Sequence, residues 1–64
     1  MRETELWTRL RALLGDAYAP VWADSVVHVD LGGRTVTQAL ADGVPVRRIW
    51  LAACVILDVP EAQR

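Results

Sequence analysis

Nine consecutive uncharged residues, Ile49 to Leu57, dominate the C-terminal half of this sequence. A membrane-spanning helix needs about 20 apolar residues, so the run is too short to cross a bilayer. On a helix it is apolar nearly all round, and such a helix is either enclosed by its own domain or covered by a partner. The chain has only 64 residues with which to enclose it. A domain of that size buries roughly 60% of the surface its unfolded form exposes, so its stability margin is thin. An apolar content of 53%, including three Trp, is the visible compensation.

The remaining composition excludes several function classes. The single cysteine, Cys54, has no intramolecular partner, and no Cys/His cluster has metal-ligand spacing, so neither a disulfide framework nor a metal or other cofactor is expected. A reduced, cytoplasmic setting is the expectation. The net charge of −1 argues against non-specific attraction to phosphate backbones or anionic membranes. The N-terminus has no basic stretch ahead of an apolar run, so no signal peptide is expected.

Periodicity predicts a small, irregular or orthogonal all-α bundle of about four short helices. Leu6, Trp7, Leu10, Leu13 and Leu14 form one stripe of a helix over about residues 4–14, with Thr4 as N-cap and Gly15 as a left-handed stop. Asp16 can cap a second helix over about 17–28, with Pro20 tolerated in its first turn. Its predicted inner side carries Tyr18, Trp22, Ser25, Val26 and Val29. A third helix over about 36–42 is announced by Thr35-Val36-Thr37-Gln38, which matches a capping box, and ends at Gly43. Pro45 opens a fourth helix over about 45–58, with Val46, Ile49, Trp50, Ala53 and Leu57 inward. Residues 60–64 read as a frayed tail. A rival reading pairs residues 27–31 with 34–37 as a hairpin around Gly32-Gly33. Helix–loop–helix is preferred because an isolated hairpin is marginal in water.

Several blocks together resemble a known family. They are Met1-Arg2-x-Thr4-Glu5-x-Trp7, Gly15 with Tyr18-Ala19 and Trp22-Ala23, Leu31-Gly32-Gly33-Arg34-Thr35-Val36, Ala39-Leu40-Ala41-x-Gly43-Val44, and Trp50 with Ala53-Cys54. In these the chain resembles the short actinobacterial domain-of-unknown-function family 3046, over nearly its whole length. The resemblance implies a compact helical fold and carries no assigned activity or site residues. It also implies a gene often placed beside those of the RecA recombinase and its regulator RecX, which is an association and not a mechanism. Members resemble Val-Asp-Pro ahead of the fourth helix. This chain reads Val44-Pro45-Val46, so it lacks an acidic side chain to cap that helix.

Each candidate for chemistry has a structural alternative. A catalytic pair needs titratable groups that converge. Cys54 lies in an apolar run that would raise its pKa and blunt it. His28 reads as a residue near the end of the second helix, favoured there by the dipole. No enzyme activity is therefore expected. Gly32-Gly33-Arg34-Thr35 could hold an anion, but a simple turn, with Arg34 bridging to an acid such as Asp30, suffices. Trp7, Trp22 and Trp50 are expected to share the core.

Two function readings follow. The favoured one is a non-enzymatic protein–protein interaction module, docking an unknown partner or self-associating through Leu51 and Val55 on the outer face of the fourth helix, with Arg48 at its rim. The alternative is a DNA-binding or DNA-repair accessory module using a helix-turn-helix-like segment at residues 35–57. Arg34, Arg47 and Arg48 would then contact nucleic acid or another anion. Against it stand the slightly acidic balance, Asp42 at a position usually apolar, and a would-be reading helix that is too apolar.

Overall fold

A computed structural model describes all 64 residues. Four helices follow in order: α1 (Glu3–Leu14), α2 (Tyr18–Ser25), α3 (Val36–Ala41) and α4 (Val46–Leu57). Two 3₁₀ turns supplement them, Val29–Leu31 between α2 and α3, and Glu61–Gln63 after α4. There is no strand, and the body measures 26 × 24 × 20 Å. α1 packs on α2, α2 on α3, α3 on α4, and α4 closes back on α1. The all-α expectation therefore holds, although several helix ends lie elsewhere.

α1 begins one residue before Thr4. Arg2 is its extended N-cap without a side-chain bond, and Glu3 and Glu5 face the positive end of the dipole. Thr4 is not a cap: it lies inside the first turn, and its carbonyl accepts the Thr8 hydroxyl at 2.9 Å. Leu6 and Leu10 are fully buried, whereas Leu13 stands at the exposed margin. Gly15 ends the helix with φ 89° and ψ 153°. That is an extended, positive-φ conformation open to glycine, not the left-handed helical cap the sequence suggested.

α2 is shorter than predicted at its C-terminal end, and Asp16 does not cap it; Ala17 occupies that position. The Ser25 hydroxyl donates to the Val21 carbonyl at 2.7 Å, and the chain then turns extended at Val26. Two consecutive β-branched residues, Val26 and Val27, favour that exit. The His28 amide next donates to the Arg34 carbonyl at 2.9 Å, a single antiparallel bridge. The rival hairpin thus survives as one residue pair around a 3₁₀ turn. His28 is consequently not a helix-end residue, and Val29 is 90% exposed instead of sharing a side with buried Trp22. Tyr18 and Ser25 are exposed as well, and Ala19 and Ala23 take the inner face. Gly32, left-handed at φ 69°, closes the 3₁₀ turn, not α2.

α3 is fixed at both ends by local chemistry. The Gln38 amide donates to Thr35 Oγ1, and the Thr35 amide donates to Gln38 Oε1, completing the capping box. At the other end the Val44 amide reaches the Ala39 carbonyl and the Gly43 amide reaches that of Leu40. This pattern is a Schellman motif, with Gly43 at φ 78°. α4 starts at Pro45 without a side-chain cap, as the missing acidic residue implied.

The core gathers Leu6, Leu10, Trp22, Leu31, Val36, Ile49 and Trp50 with several alanines. The end of the chain is not frayed. Trp50 Nε1 donates to the Arg64 main-chain oxygen at 3.0 Å, Arg47 donates to the same oxygen, and Arg64 Nε donates to the Val59 carbonyl. A buried indole N–H needs a partner, and the last turn supplies it.

Trp50→Ala should cost about 3–5 kcal/mol, a large share of the stability a domain this small possesses. Trp50→Phe should cost far less, since it leaves the apolar volume nearly filled. Thermal melts would show the first variant without a cooperative transition and the second with one. A wild-type melt for Trp50→Ala would contradict the central place given to this side chain.

Candidate functional site

α4 is enclosed on three sides. Ile49, Trp50, Ala53 and Cys54 face α1 and α3, and Ala52 is covered by the Val29–Leu31 turn. Ala52 lies outside the predicted inward stripe, yet the turn reaches over it and makes it core. What stays open is Leu51 at 38% exposure, Val55 at 56% and Ile56 at 46%. Spacings of three and four residues align Arg48, Leu51 and Val55 along one strip.

Beside this strip lies a shallow concavity of about 180 Å³, walled by Val27, Val29, Val55 and Ile56, with Asp30 at its edge and Ala52 and His28 in its lining. The two valines precede and open the 3₁₀ turn, so the turn that covers Ala52 also raises a second apolar wall beside α4. Val27 is 54% exposed. Sequence reasoning missed this wall, because Val27 and Val29 were read as part of α2. The alternation Val27-His28-Val29 was the available signal.

His28 itself is 1% exposed, and neither ring nitrogen has a hydrogen-bond partner. Its ring meets the edge of Trp22, with centroids 5.3 Å apart at 73°. Burial lowers its pKa from the ordinary 6.5, outweighing the nearby Ala52 carbonyl and Asp30 carboxylate, which favour the charged ring. Burial likewise raises the Cys54 pKa, although Arg64, Arg47 and Arg9 oppose it. A neutral buried thiol is a poor nucleophile, and nothing in either environment points to catalysis. No group of three His, Cys, Asp or Glu side chains could hold a metal.

The three arginines assigned to an anion site are each held separately. Arg34 Nε pairs with Asp42 at 2.8 Å and its Nη1 donates to the Leu31 carbonyl. Its acidic partner is therefore Asp42, across the turn from α3, and not Asp30. Arg47 reaches back to the Arg64 main-chain oxygen, and Arg48 leans toward the Asp30 carbonyl at 3.4 Å. A second concavity, about 220 Å³, lies between Arg9, Ala12, Leu13, Trp50, Val59 and Gln63, where Arg9 stacks 5.3 Å from the Trp50 ring centre. Trp7 is only half-buried, at the margin of the core.

Four short helices in a closed ring, with one incompletely covered helix, define a small all-α domain. No helix is long and apolar enough to cross a membrane. The chain belongs to the family described as protein of unknown function (DUF3046), whose sequence model matches residues 1–62. No curated protein and no solved structure matches it significantly.

The His28 setting makes a prediction with a definite sign. A folded-state pKa below the unfolded value contributes stability that is fully present above 6.5 and is lost as pH falls toward the folded-state pKa. One proton changes stability by at most about 1.4 kcal/mol per pH unit. Thermal midpoints should therefore fall between about pH 7.5 and about pH 5.5 in the native chain, and barely change over that window in His28→Leu. An equal drop in both would exclude His28 as the cause.

Proposed function

We propose that this domain is a non-enzymatic protein–protein interaction module whose contact surface is the open strip of α4. The observation that carries this reading is the apolar wall Leu51, Val55 and Ile56 facing outward beside Val27 and Val29. Single exposed apolar residues are ordinary, but contiguous ones are uncommon on a monomer's surface and mark contact sites. In this chain they lie on its most apolar helix, and charged residues, Asp30 and Arg48, stand at the edges as a polar rim would. The nucleic-acid alternative has less support. Arg34 and Arg47 are engaged within the domain, and the exposed side of α4 offers few groups able to read base edges.

A photo-crosslinking residue placed at Val55 in living cells should capture a protein, and the same residue at exposed Thr37 on α3 should not. Leu51→Glu should abolish the Val55 adduct. That variant should stay folded, because substitutions at exposed sites cost within about 0.5 kcal/mol, a midpoint shift of no more than about 4 °C. No adduct from Val55, or an adduct indifferent to Leu51→Glu, would defeat the reading.

A further inference from the structure

We infer that the occupant of the α4 face is a second copy of this chain, docked antiparallel across a two-fold axis passing near Ala53. The inference rests on the reading of that face as a contact surface and adds its partner and register. Three observations lead to it. The first is charge placement along α4. Arg48 stands in the first turn and Asp58 at the C-cap, and both are exposed. Each has the wrong sign for its own helix, since a cation belongs at the C-terminal end and an anion at the N-terminal end. The first turn of α4 has no acidic residue and its last turn no basic one. An antiparallel neighbour reverses this, bringing Arg48 to the partner's carbonyl end and Asp58 to the partner's amide end.

The second observation is register. Arg48 and Asp58 lie five residues on either side of Ala53, and Leu51 and Val55 lie two on either side. A two-fold at that level sets Arg48 against the partner copy's Asp58 and Leu51 against the partner copy's Val55. Both pairings then occur twice, as an isologous contact requires. The strip thus complements itself in charge and in the order of its apolar side chains. Spacings of three and four residues keep Arg48, Leu51 and Val55 on one seam, the geometry by which helices pair along an apolar stripe, and Asp58 follows at the C-cap three residues beyond Val55. Asp58 also keeps φ 55° without being glycine, which only a few residue types accept.

The third observation concerns extent. A stable interface buries about 800 Å² from each partner. Such an interface draws on roughly 20–30 residues a side, whereas this face offers Leu51, Val55, Ile56, Val27 and Val29, with Arg48 and Asp58 at its ends. The dimer is accordingly weak and reversible. The Val27 and Val29 side chains flank the incoming helix and widen the contact beyond one seam.

Sedimentation of the purified chain between about 1 µM and about 1 mM tests this directly. The native chain should pass from monomer to dimer within that range. Arg48→Glu and Asp58→Arg should each weaken dimerisation about tenfold, because two attractive pairs become repulsive. An equimolar mixture of these two variants should dimerise about as well as the native chain, since each heteropair again joins opposite charges. Arg48→Glu should also raise the monomer's melting temperature while weakening the dimer, because it places an acid in the first turn; a merely structural role would not move the two in opposite directions. Asp58→Asn, which retains a residue tolerant of left-handed backbone, should weaken dimerisation less than Asp58→Arg, and this separates charge from strain. A native chain that stays monomeric throughout overturns the inference, while crosslinking at Val55 to some other protein would leave the contact surface intact. A dimer indifferent to both charge reversals, or a mixture that does not recover, overturns the antiparallel register.

Discussion

Everything in this fold follows from the need to cover one strongly apolar helix with few residues. α4 buries Ile49, Trp50, Ala52, Ala53 and Cys54 along most of its length. Two of its covers, α1 and α3, are helices. The third is a single 3₁₀ turn held by one antiparallel residue pair and the left-handed Gly32. The fourth side, with Leu51, Val55 and Ile56, stays open. The end of the chain is recruited into the same task, since Arg64 satisfies the indole N–H of Trp50 and keeps buried Val59 in place.

Small residues make the arrangement feasible. Ala19, Ala23, Ala39 and Ala53 are fully buried on α2, α3 and α4, so the backbones approach closely and the short helices need few large side chains to exclude water. The cost appears at His28. Ending α2 early lets the 3₁₀ turn reach over Ala52, but it places an imidazole with two unpaired nitrogens in the interior. Unsatisfied buried polar groups are uncommon and cost free energy. Edge-on packing against Trp22 offsets part of that cost, and the neutral form dominates because burial disfavours the charged one.

The sequence disclosed what local chemistry determines. The capping box at Thr35 and Gln38, the stop at Gly43, and the inward positions Ile49, Trp50 and Ala53 all follow from residues close together in the chain. The errors arose where tertiary contacts overrode local preference. Asp16 and Thr4 are good cap residues that the helix starts bypass. Residues 26–28 continue an acceptable helical pattern, yet the bridge from His28 to Arg34 pulls them out of α2. Arg34 chose Asp42 over the nearer Asp30 because the turn carries its guanidinium toward the end of α3. Arg64 reads as solvent-exposed tail until Trp50 is seen to need an acceptor. Of the candidate surface, Leu51 and Val55 were legible from spacing alone. The facing wall of Val27 and Val29 was not, since it exists only once the chain has left α2.

The departures from local rules are not scattered. His28, buried without partners, lies in the lining of the concavity beside α4. Asp58, in a left-handed conformation and of the wrong sign for its helix, terminates the open strip, and Arg48, equally mis-signed, begins it. Val29, the most exposed of the large apolar side chains, stands opposite. Elsewhere the local devices agree with the fold: acidic residues open α1, a capping box opens α3 and a Schellman motif closes it. Sequences specify a structure best when such devices concur, and they conflict mainly where another requirement acts on the same residues. Core packing explains the constraint on His28, because the turn that carries it covers Ala52. It does not explain the charges at the two ends of α4, which burial does not touch. The antiparallel pairing proposed above would set each of those charges against one of opposite sign and against the helix end it suits.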